Sequence, residues 1–370
     1  TYPPIECGIG TYTYFLVQAM AETPNELHVV SQYGAAGECV YPAYEGDEPG
    51  LAKQIFDMAV KITPDVVHIQ HEFGLYGELD GISVLELIYR FKSAATPVVV
   101  TFHTVNPNPP HRKHLIMDVI CREASAIIVH EGEHIQTLSD LYNVDRSKVH
   151  LISHGAREVA PIAGAKETLG LTDRKVVLLG GYFRPTKGFD RIVDLFPSIV
   201  EAVPDACLVL AGKMRRLEFS DYRQFLFDKI NSSPVRDHIE VFRGQFPQKT
   251  FDTIICASDV MVFPYSAGAQ SGVMSHALAF GKPIVTSSLP AFVQTVSASG
   301  AGFSCDTDEA YIQGIITLLR DEAVQERCTA NALRYVRDNI SWRLVAEKHL
   351  AIYAGFEGAL GCKTRYVYVG

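Results

Sequence analysis

A chain of 370 residues is too long for one ordinary domain, so two domains are the starting expectation. Hydrophobic content of 47% with 20% charged residues describes a globular protein with large cores, not a disordered or fibrous one. A formal net charge of −9 argues against a nucleic-acid binder and against a strongly basic membrane-surface protein.

In chain order, Tyr2-Pro3-Pro4 and the turn Cys7-Gly8-Ile9-Gly10 come first, and the pattern turns helical from Thr11. Gly8 and Gly10 lack the side chain that would keep a ligand away from the backbone, although a lone Gly-x-Gly is equally a plain tight turn. Such a turn normally follows a strand, and none precedes it here. Residues 26–32 read as strand, 51–61 as helix, 65–71 as a buried strand, 81–91 as helix and 97–102 as strand. After a loop rich in Pro and Asn come a helix over 114–123, a strand at 126–129, a helix near 131–141 and a strand at 149–152. The stretch 154–174 is small, polar and aperiodic, and is taken as an interdomain linker with a short helix inside. The alternation then restarts with a strand at 176–179, helix 188–202, strand 206–211, helix 219–231, strand 239–242, helix 249–257 and strand 259–263. Apolar strands alternating with amphipathic helices build parallel sheets covered on both faces. The predicted fold class is α/β: two tandem Rossmann-like, doubly wound parallel-sheet domains whose strand ends face a central cleft.

The next stretch, residues 262–287 (VFPYSAGAQSGVMSHALAFGKPIVTS), reads as strand end, small-residue loop, helix, turn and strand. Ser271 stands where a helix N-cap should stand, and Gly281-Lys282-Pro283 ends the helix. A Ser-Gly step opening a helix after a buried strand offers unpaired backbone N–H groups and the positive end of the helix dipole, which is a seat for phosphate. An ordinary α/β unit would use the same letters. A strand near 302–303 and helices over 309–320, 322–338 and 341–356 complete this half.

Residues 365–369 (RYVYV) are β-branched and aromatic, a strand by composition, and a glycine follows them. Placed before residue 1 they supply the strand that the opening Gly-rich turn lacks. The chain therefore reads as circularly permuted, with residues 1–158 plus 363–370 forming the first domain, 159–340 the second, and 341–362 a crossover helix returning to the first.

Four segments in this order, DVVHIQHEFG (65–74), PVVVTFHT (97–104), LLGGYFRPTKGFDRIVDLF (178–196) and AFGKPIV (279–285), resemble the retaining GT-B glycosyltransferases of the group that includes glycogen and sucrose synthases and phosphatidylinositol mannosyltransferases. The resemblance implies transfer of a sugar from a nucleotide-diphosphate sugar to an acceptor, with retention at the anomeric carbon. The leaving nucleoside diphosphate then needs cations and N–H dipoles for its developing charge. Lys187 and Arg184 are the expected cations; the family arginine usually sits five residues before the lysine, where this chain has Tyr182, so Arg184 would substitute. His103, at a strand end, is expected to meet the donor sugar, with His71 and Glu72 as further sugar or acceptor contacts. Gly8, Gly10, Gln270, Ser271, Gly272, Val273 and His276 are the expected donor-binding residues.

One departure stands out. Family members usually carry two glutamates separated by seven residues, and here the second position is His276 and the first is Gly268. A neutral His276 could still accept from a ribose hydroxyl through one ring nitrogen, and Gln270 or Ser271 would take over the sugar contacts of the first glutamate. The competing readings are a catalytically weak or silent sugar-nucleotide-binding subunit and a nucleotide-sugar epimerase of the same architecture, the latter needing acid and base carboxylates that are not found. No metal site is expected, since no histidines fall at i, i+4 with an acidic third ligand, and no cofactor is called for beyond the nucleotide-sugar substrate. The acceptor would be a carbohydrate, a lipid-linked glycan or a small molecule. The eight cysteines include no Cys-x-x-Cys pair, no leader-like segment is read at residue 1, and no apolar run reaches roughly 18 residues. These features predict a cytoplasmic protein with no nucleic-acid partner and at most peripheral membrane contact.

Overall fold

The computed structural model describes residues 1–213, 220–244, 246–268, 271–356 and 364–370. The backbone divides into two compact units, one of residues 1–155 with 342–370 and one of residues 156–341.

The first unit holds, among the described residues, a seven-stranded parallel sheet of β1 (Glu26–Gln32), β2 (Val40–Tyr44), β3 (Val66–His71), β4 (Val98–Phe102), β5 (Ala126–Val129), β6 (Val149–Leu151) and β13 (Arg365–Val369). Its order is β2-β1-β13-β3-β4-β5-β6. Successive strand residues point to opposite faces, and both faces are apolar. Val67, Ile69, Val98, Val100 and Val367 pack with Leu51, Ile55, Val84 and Leu87 on one side. Val66, Val99, Ile128, Tyr366 and Tyr368 pack with Tyr12, Leu16 and Trp342 on the other. Each such buried aliphatic side chain contributes on the order of 1.5–3 kcal/mol, so the run of β-branched residues is what fixes the strands inside the layer.

β13 lies between β1 and β3 and is parallel to both, with Leu27 opposite Tyr366 and Val66 opposite Tyr366 from the other side. Just past it, an ideal Cβ on Gly370 would stand 3.1 Å from Gln70 Cβ and 3.7 Å from the Thr1 nitrogen. The strand order thus grows outward from β13 in both directions, which makes its carboxyl end the switch point of this sheet.

The second unit carries β7 (Lys175–Gly180), β8 (Ala206–Gly212), β9 (Ile239–Arg243), β10 (Val260–Phe263), β11 (Ile284–Ser287) and β12 (Gly302–Cys305), all parallel in the order β12-β11-β10-β7-β8-β9. Val176, Leu178, Val209, Met261 and Phe263 face one helical layer, and Val177, Leu179, Leu208, Leu210 and Val262 face the other. The chain adds β8 and β9 on one side of β7, then returns to add β10 to β12 on the other. The switch point is therefore between β7 and β10.

Two elements were not expected from the sequence. β2 contains Pro42, which removes a backbone donor and suits only an edge strand, and β2 is the edge of its sheet. The helix Pro290–Ser299 begins on a proline at its first position, where the missing N–H costs no bond.

Candidate functional site

In the second unit the chemistry gathers at the switch point. After β7 the chain runs through Gly181 and Tyr182 to Arg184, makes a single 3-10 turn over Pro185–Lys187, and leaves through Gly188 into the helix Phe189–Ala202. Gly188 has φ +65°, and a Cβ there would collide with the Pro264 carbonyl oxygen, so only glycine lets this turn lie across the end of β10. The two loops are tied by Ser266 N–H donating to the Thr186 carbonyl at 3.0 Å.

This crossing puts Lys187 Nζ 3.4 Å from the centroid of the Tyr265 ring. Tyr265 is buried, and its hydroxyl lies 3.0 Å from Ser271 Oγ. Ser271 is the N-cap of the helix Gly272–Ala279, its Oγ accepting from Met274 N–H at 3.3 Å. The capping serine read from the sequence is therefore in place, and Gly272 and Val273 are first-turn residues, whose N–H groups lie outside the hydrogen-bond ladder of their own helix. Val273 Cγ1 reaches 3.4 Å from the ideal Cβ position of Gly180, so the helix start is packed directly against the end of β7. Lysine, tyrosine, serine and helix terminus form one continuous surface.

Burial, with the Arg184 guanidinium second, lowers the Lys187 ammonium to about 7. Burial raises the Tyr265 phenol to about 12, so it stays a neutral hydroxyl. The repulsion felt by Lys187 marks Arg184 as its neighbour, and Arg184 Cζ sits 5.7 Å from the Tyr182 ring centroid. Lys187 and Arg184 are thus two half-buried basic side chains held close enough to feel each other's charge.

Beside this surface a recess of about 230 Å³ opens at the carboxyl ends of β7, β8 and β9, lined by Tyr182, Gly212, Lys213, Gly244, Phe246 and Phe251 among others. A Cβ on Gly212 would collide with the Gly181 carbonyl oxygen, so small residues keep the floor of this recess low.

His276 lies on the capped helix with Nδ1 3.4 Å from Arg157 Nη2. A guanidinium can only donate, so Nδ1 accepts from arginine and the proton resides on Nε2. Nδ1 is thus not the ribose acceptor that a neutral histidine was expected to offer. Arg157 in turn makes a paired contact with Asp252, at 2.9 and 2.5 Å, and Asp252 also accepts from Gln248 at 2.7 Å. Neither Arg157 nor Asp252 was singled out in the sequence; the signal is an arginine inside the linker, which reads as a plain solvated charge. Tyr265 likewise carries no distinguishing signal in the sequence, being one aromatic in a loop of small residues. Gly268 has φ +130°, a backbone state that L residues rarely adopt, so the glutamate of related chains would be strained there. Gln270 lies outside the described residues.

In the first unit, β3 and β4 end side by side, with His103 N–H donating to the His71 carbonyl at 3.2 Å. The half-buried His103 ring meets Gln70 Oε1 through Nε2 at 2.8 Å and stands edge-on to Tyr12, with centroids 5.0 Å apart. Burial, followed by neighbouring histidines led by His130, holds His103 well below the usual imidazole range, so it is neutral at ordinary pH. Glu72 links the two strand ends, accepting from Thr104 Oγ1 at 2.6 Å and from Phe73 N–H at 3.0 Å. His71 is fully buried among Phe73, Phe102 and Tyr76, and neither ring nitrogen has a partner among the described residues. The structure gives that ring no exposed face. Gly8 opens onto free space, whereas a Cβ on Gly10 would come within 3.2 Å of the Thr1 and Tyr2 backbone; the second glycine serves helix packing. No helix among the described residues is long and apolar enough to cross a membrane.

The family model for glycosyl transferases group 1 matches residues 165–335, and that for glycosyltransferase family 4 matches residues 7–157. A phosphatidyl-myo-inositol mannosyltransferase of Mycobacterium leprae is 25% identical over 281 residues, which cover 72% of this chain and 69% of that protein. The crystal structure of Anabaena HepE in complex with UDP and glucose superimposes with a TM-score of 0.75 at 14% identity, covering 96% of this chain and 98% of that one. Sucrose-phosphate synthase from Thermosynechococcus elongatus gives 0.77 at 16% identity, covering 94% and 93%. At these identities the two structures establish the fold alone.

Proposed function

We propose, on the premise that this chain belongs to the group 1 glycosyltransferases of GT-B fold, that it moves a hexose from a nucleoside-diphosphate sugar to an acceptor with retention at the anomeric carbon. The observation that carries the reading is the meeting of Lys187 and Arg184 with a capped helix N-terminus at the switch point of the second unit. In this reading the diphosphate lies across Lys187, Arg184 and the N–H groups of Ser271, Gly272 and Val273, and the neighbouring recess takes the nucleoside. His103 touches the transferred sugar, with Glu72 and Thr104 at the edge of that contact, and Gly8 leaves its backbone open to the donor. Since the leaving group is an anion, catalysis consists mainly of stabilising its charge with preorganised donors, and the cations and N–H groups do this without a metal ion. The UDP in the HepE crystal structure makes UDP the first nucleotide to try on this chain. The acceptor is a carbohydrate or lipid-linked molecule, reached in the cytoplasm with at most peripheral membrane contact.

The test is calorimetric titration with UDP and GDP followed by a transfer and hydrolysis assay on the corresponding hexose donors. Lys187→Ala is expected to lose a factor on the order of a hundred or more in transfer, as for removal of one charge-stabilising donor. Binding of a nucleotide with no turnover of any donor would point to a silent binding subunit and overturn the reading; near-wild-type activity in Lys187→Ala would overturn the phosphate assignment. We also propose that the chain is a circular permutation of this fold, a reading supported by β13 occupying the slot between β1 and β3 beside Thr1.

A further inference from the structure

Gln70 is fully buried at the carboxyl end of β3, and its carboxamide joins two histidine rings. Oε1 lies 2.8 Å from His103 Nε2, and Nε2 lies 3.5 Å from His68 Nε2. His68, also buried, is held at both nitrogens: Nε2 is 2.8 Å from Thr101 Oγ1 and Nδ1 is 2.5 Å from the Tyr353 hydroxyl. Behind it, the Tyr353 and Tyr368 hydroxyls are 2.8 Å apart, and Tyr368 reaches Met20 Sδ at 2.8 Å. The chain of contacts thus runs from a methionine sulfur in the core to the strand-end histidine.

Its direction follows from what each group can do. A thioether only accepts, so Tyr368 donates to Met20. The Tyr368 oxygen then accepts from Tyr353, whose oxygen accepts from His68 Nδ1–H. That leaves His68 Nε2 with a lone pair, which takes the Thr101 hydroxyl and the Gln70 amide N–H. Gln70 so oriented turns its carbonyl oxygen toward His103, which must carry its proton on Nε2. The opposite direction leaves the sulfur without a donor and sets His68 Nε2–H against the Gln70 N–H. Burial, with the neighbouring histidines His349 and His130 next, keeps His68 neutral, as burial does His103, so one tautomer of each ring is at stake rather than a charge.

We propose that Gln70, backed by His68, Tyr353 and Tyr368, is a positioning residue that fixes His103 in its Nε2–H tautomer and so presents the unprotonated Nδ1 to a hydroxyl of the transferred sugar. This rests on the reading of His103 as a sugar contact. It specifies the sugar further: the group met by His103 is a hydroxyl that can donate. A uronic acid, with a carboxylate at that position, would meet a lone pair and be rejected, because two acceptors cannot pair in a site with little water. A deoxy sugar lacking that hydroxyl would lose the contact.

Long-range proton–nitrogen correlation on the histidine-labelled protein at pH 7.5 reads the tautomer directly, with the His103→Ala spectrum identifying the signal. The wild-type protein is expected to show the Nε2–H form. Gln70→Leu should lose that preference, and Gln70→Glu, whose carboxylate only accepts, should keep it. In transfer assays Gln70→Leu should lose about tenfold in kcat, the size of one hydrogen bond, with the UDP Kd within about twofold of wild type. An Nδ1–H signal in the wild-type protein, or an unchanged Nε2–H signal in Gln70→Leu, would overturn the proposal without any variant having to be active. If the tautomer follows Gln70 but His103→Ala transfers sugar at the wild-type rate, the hydrogen-bond chain stands and the reading of His103 as a sugar contact falls.

Discussion

If the diphosphate sits on Lys187 as proposed, the lowered ammonium makes nucleotide affinity depend on pH in a way that can be worked out beforehand. The group is depressed to about 7 by burial and by Arg184, and a diphosphate seated on it favours the charged form and raises it again. Binding above pH 7 therefore requires proton uptake, and affinity falls as pH rises. With a value of about 7 in the unliganded protein, the lysine is half charged at pH 7, roughly one-eleventh charged at pH 8 and roughly one-hundredth charged at pH 9. The UDP Kd should then weaken about fivefold from pH 7 to 8 and about fiftyfold from pH 7 to 9, provided the bound-state value lies above 9. The ligand adds no titration of its own in this window, because the terminal phosphate loses its last proton near 6. The assay is calorimetric titration with UDP at each pH, repeated at pH 7 in two buffers of different ionisation heat, where an uptake of about half a proton is expected. Lys187→Arg, permanently charged, should bind with no slope between pH 7 and 9, and Lys187→Ala should bind weakly with no slope. A wild-type Kd constant across that range, or the same slope in Lys187→Arg, would refute the assignment of the diphosphate to Lys187.

Four further outcomes are expected. His103→Ala should cut turnover by well over tenfold while leaving the UDP Kd nearly unchanged, since it is expected to touch sugar and not nucleotide; equal losses in both would mark it as structural. Gly188→Ala should cost about 2 kcal/mol or more, through its positive φ and the Pro264 carbonyl, lowering Tm by roughly 4–8 °C in a thermal scan; an unchanged Tm would show that the loop crossing is not constrained as described. Transfer should survive EDTA within about twofold, because cations and N–H groups meet the phosphate charge; activity restored only by added metal would contradict this. Moving residues 364–370 ahead of Thr1 through a short linker should give a folded protein with unchanged UDP affinity if the chain is a permutation, and failure of that rearranged chain to fold would count against it.

The fold was legible because a parallel sheet buried on both faces leaves almost no freedom in composition. Segments such as Val98–Phe102 can be little else than central strands, and Ser271 before Gly272 can be read as a cap from the need of the first-turn N–H groups. Edge elements escaped because their rules are looser: Pro42 is forbidden in a central strand and harmless in β2. Site residues divided along similar lines. Ser271 follows from local pattern, as a capping residue between a strand end and a helix, whereas Lys187 is expected only from the resemblance to the family. Tyr265, Arg157 and Gln70 could not be found that way, because each matters through a partner remote in sequence: Tyr265 through Lys187, Arg157 through Asp252, and Gln70 through His103. His71 carries the same local signature as His103, a histidine closing a buried strand, yet one ring is sealed among aromatics and the other is half-buried. Only packing separates them.

The absent glutamates fit the same logic of partners. A carboxylate at position 276 would face the Arg157 guanidinium, and in this chain that guanidinium is already neutralised by Asp252, which closes on it with two contacts. With the charge satisfied, a neutral histidine can occupy the helix and accept from the arginine, and no buried ion is left without a counter-charge. At position 268 the obstacle is the backbone: φ of +130° favours glycine, and a longer residue would require the loop to take another path. The two losses are compatible with the proposed phosphate seat, because the contacts that join Lys187, Tyr265, Ser271 and Met274 N–H involve neither position. If the diphosphate lies where we propose, the two losses take negative charge away from its surroundings, and the local field on it is more attractive than with glutamates at these positions. A tighter hold on the nucleoside diphosphate in ground state and product alike lowers KM without raising kcat. The expected kinetic character follows: strong product inhibition by the nucleoside diphosphate, with its release rather than sugar transfer limiting the rate.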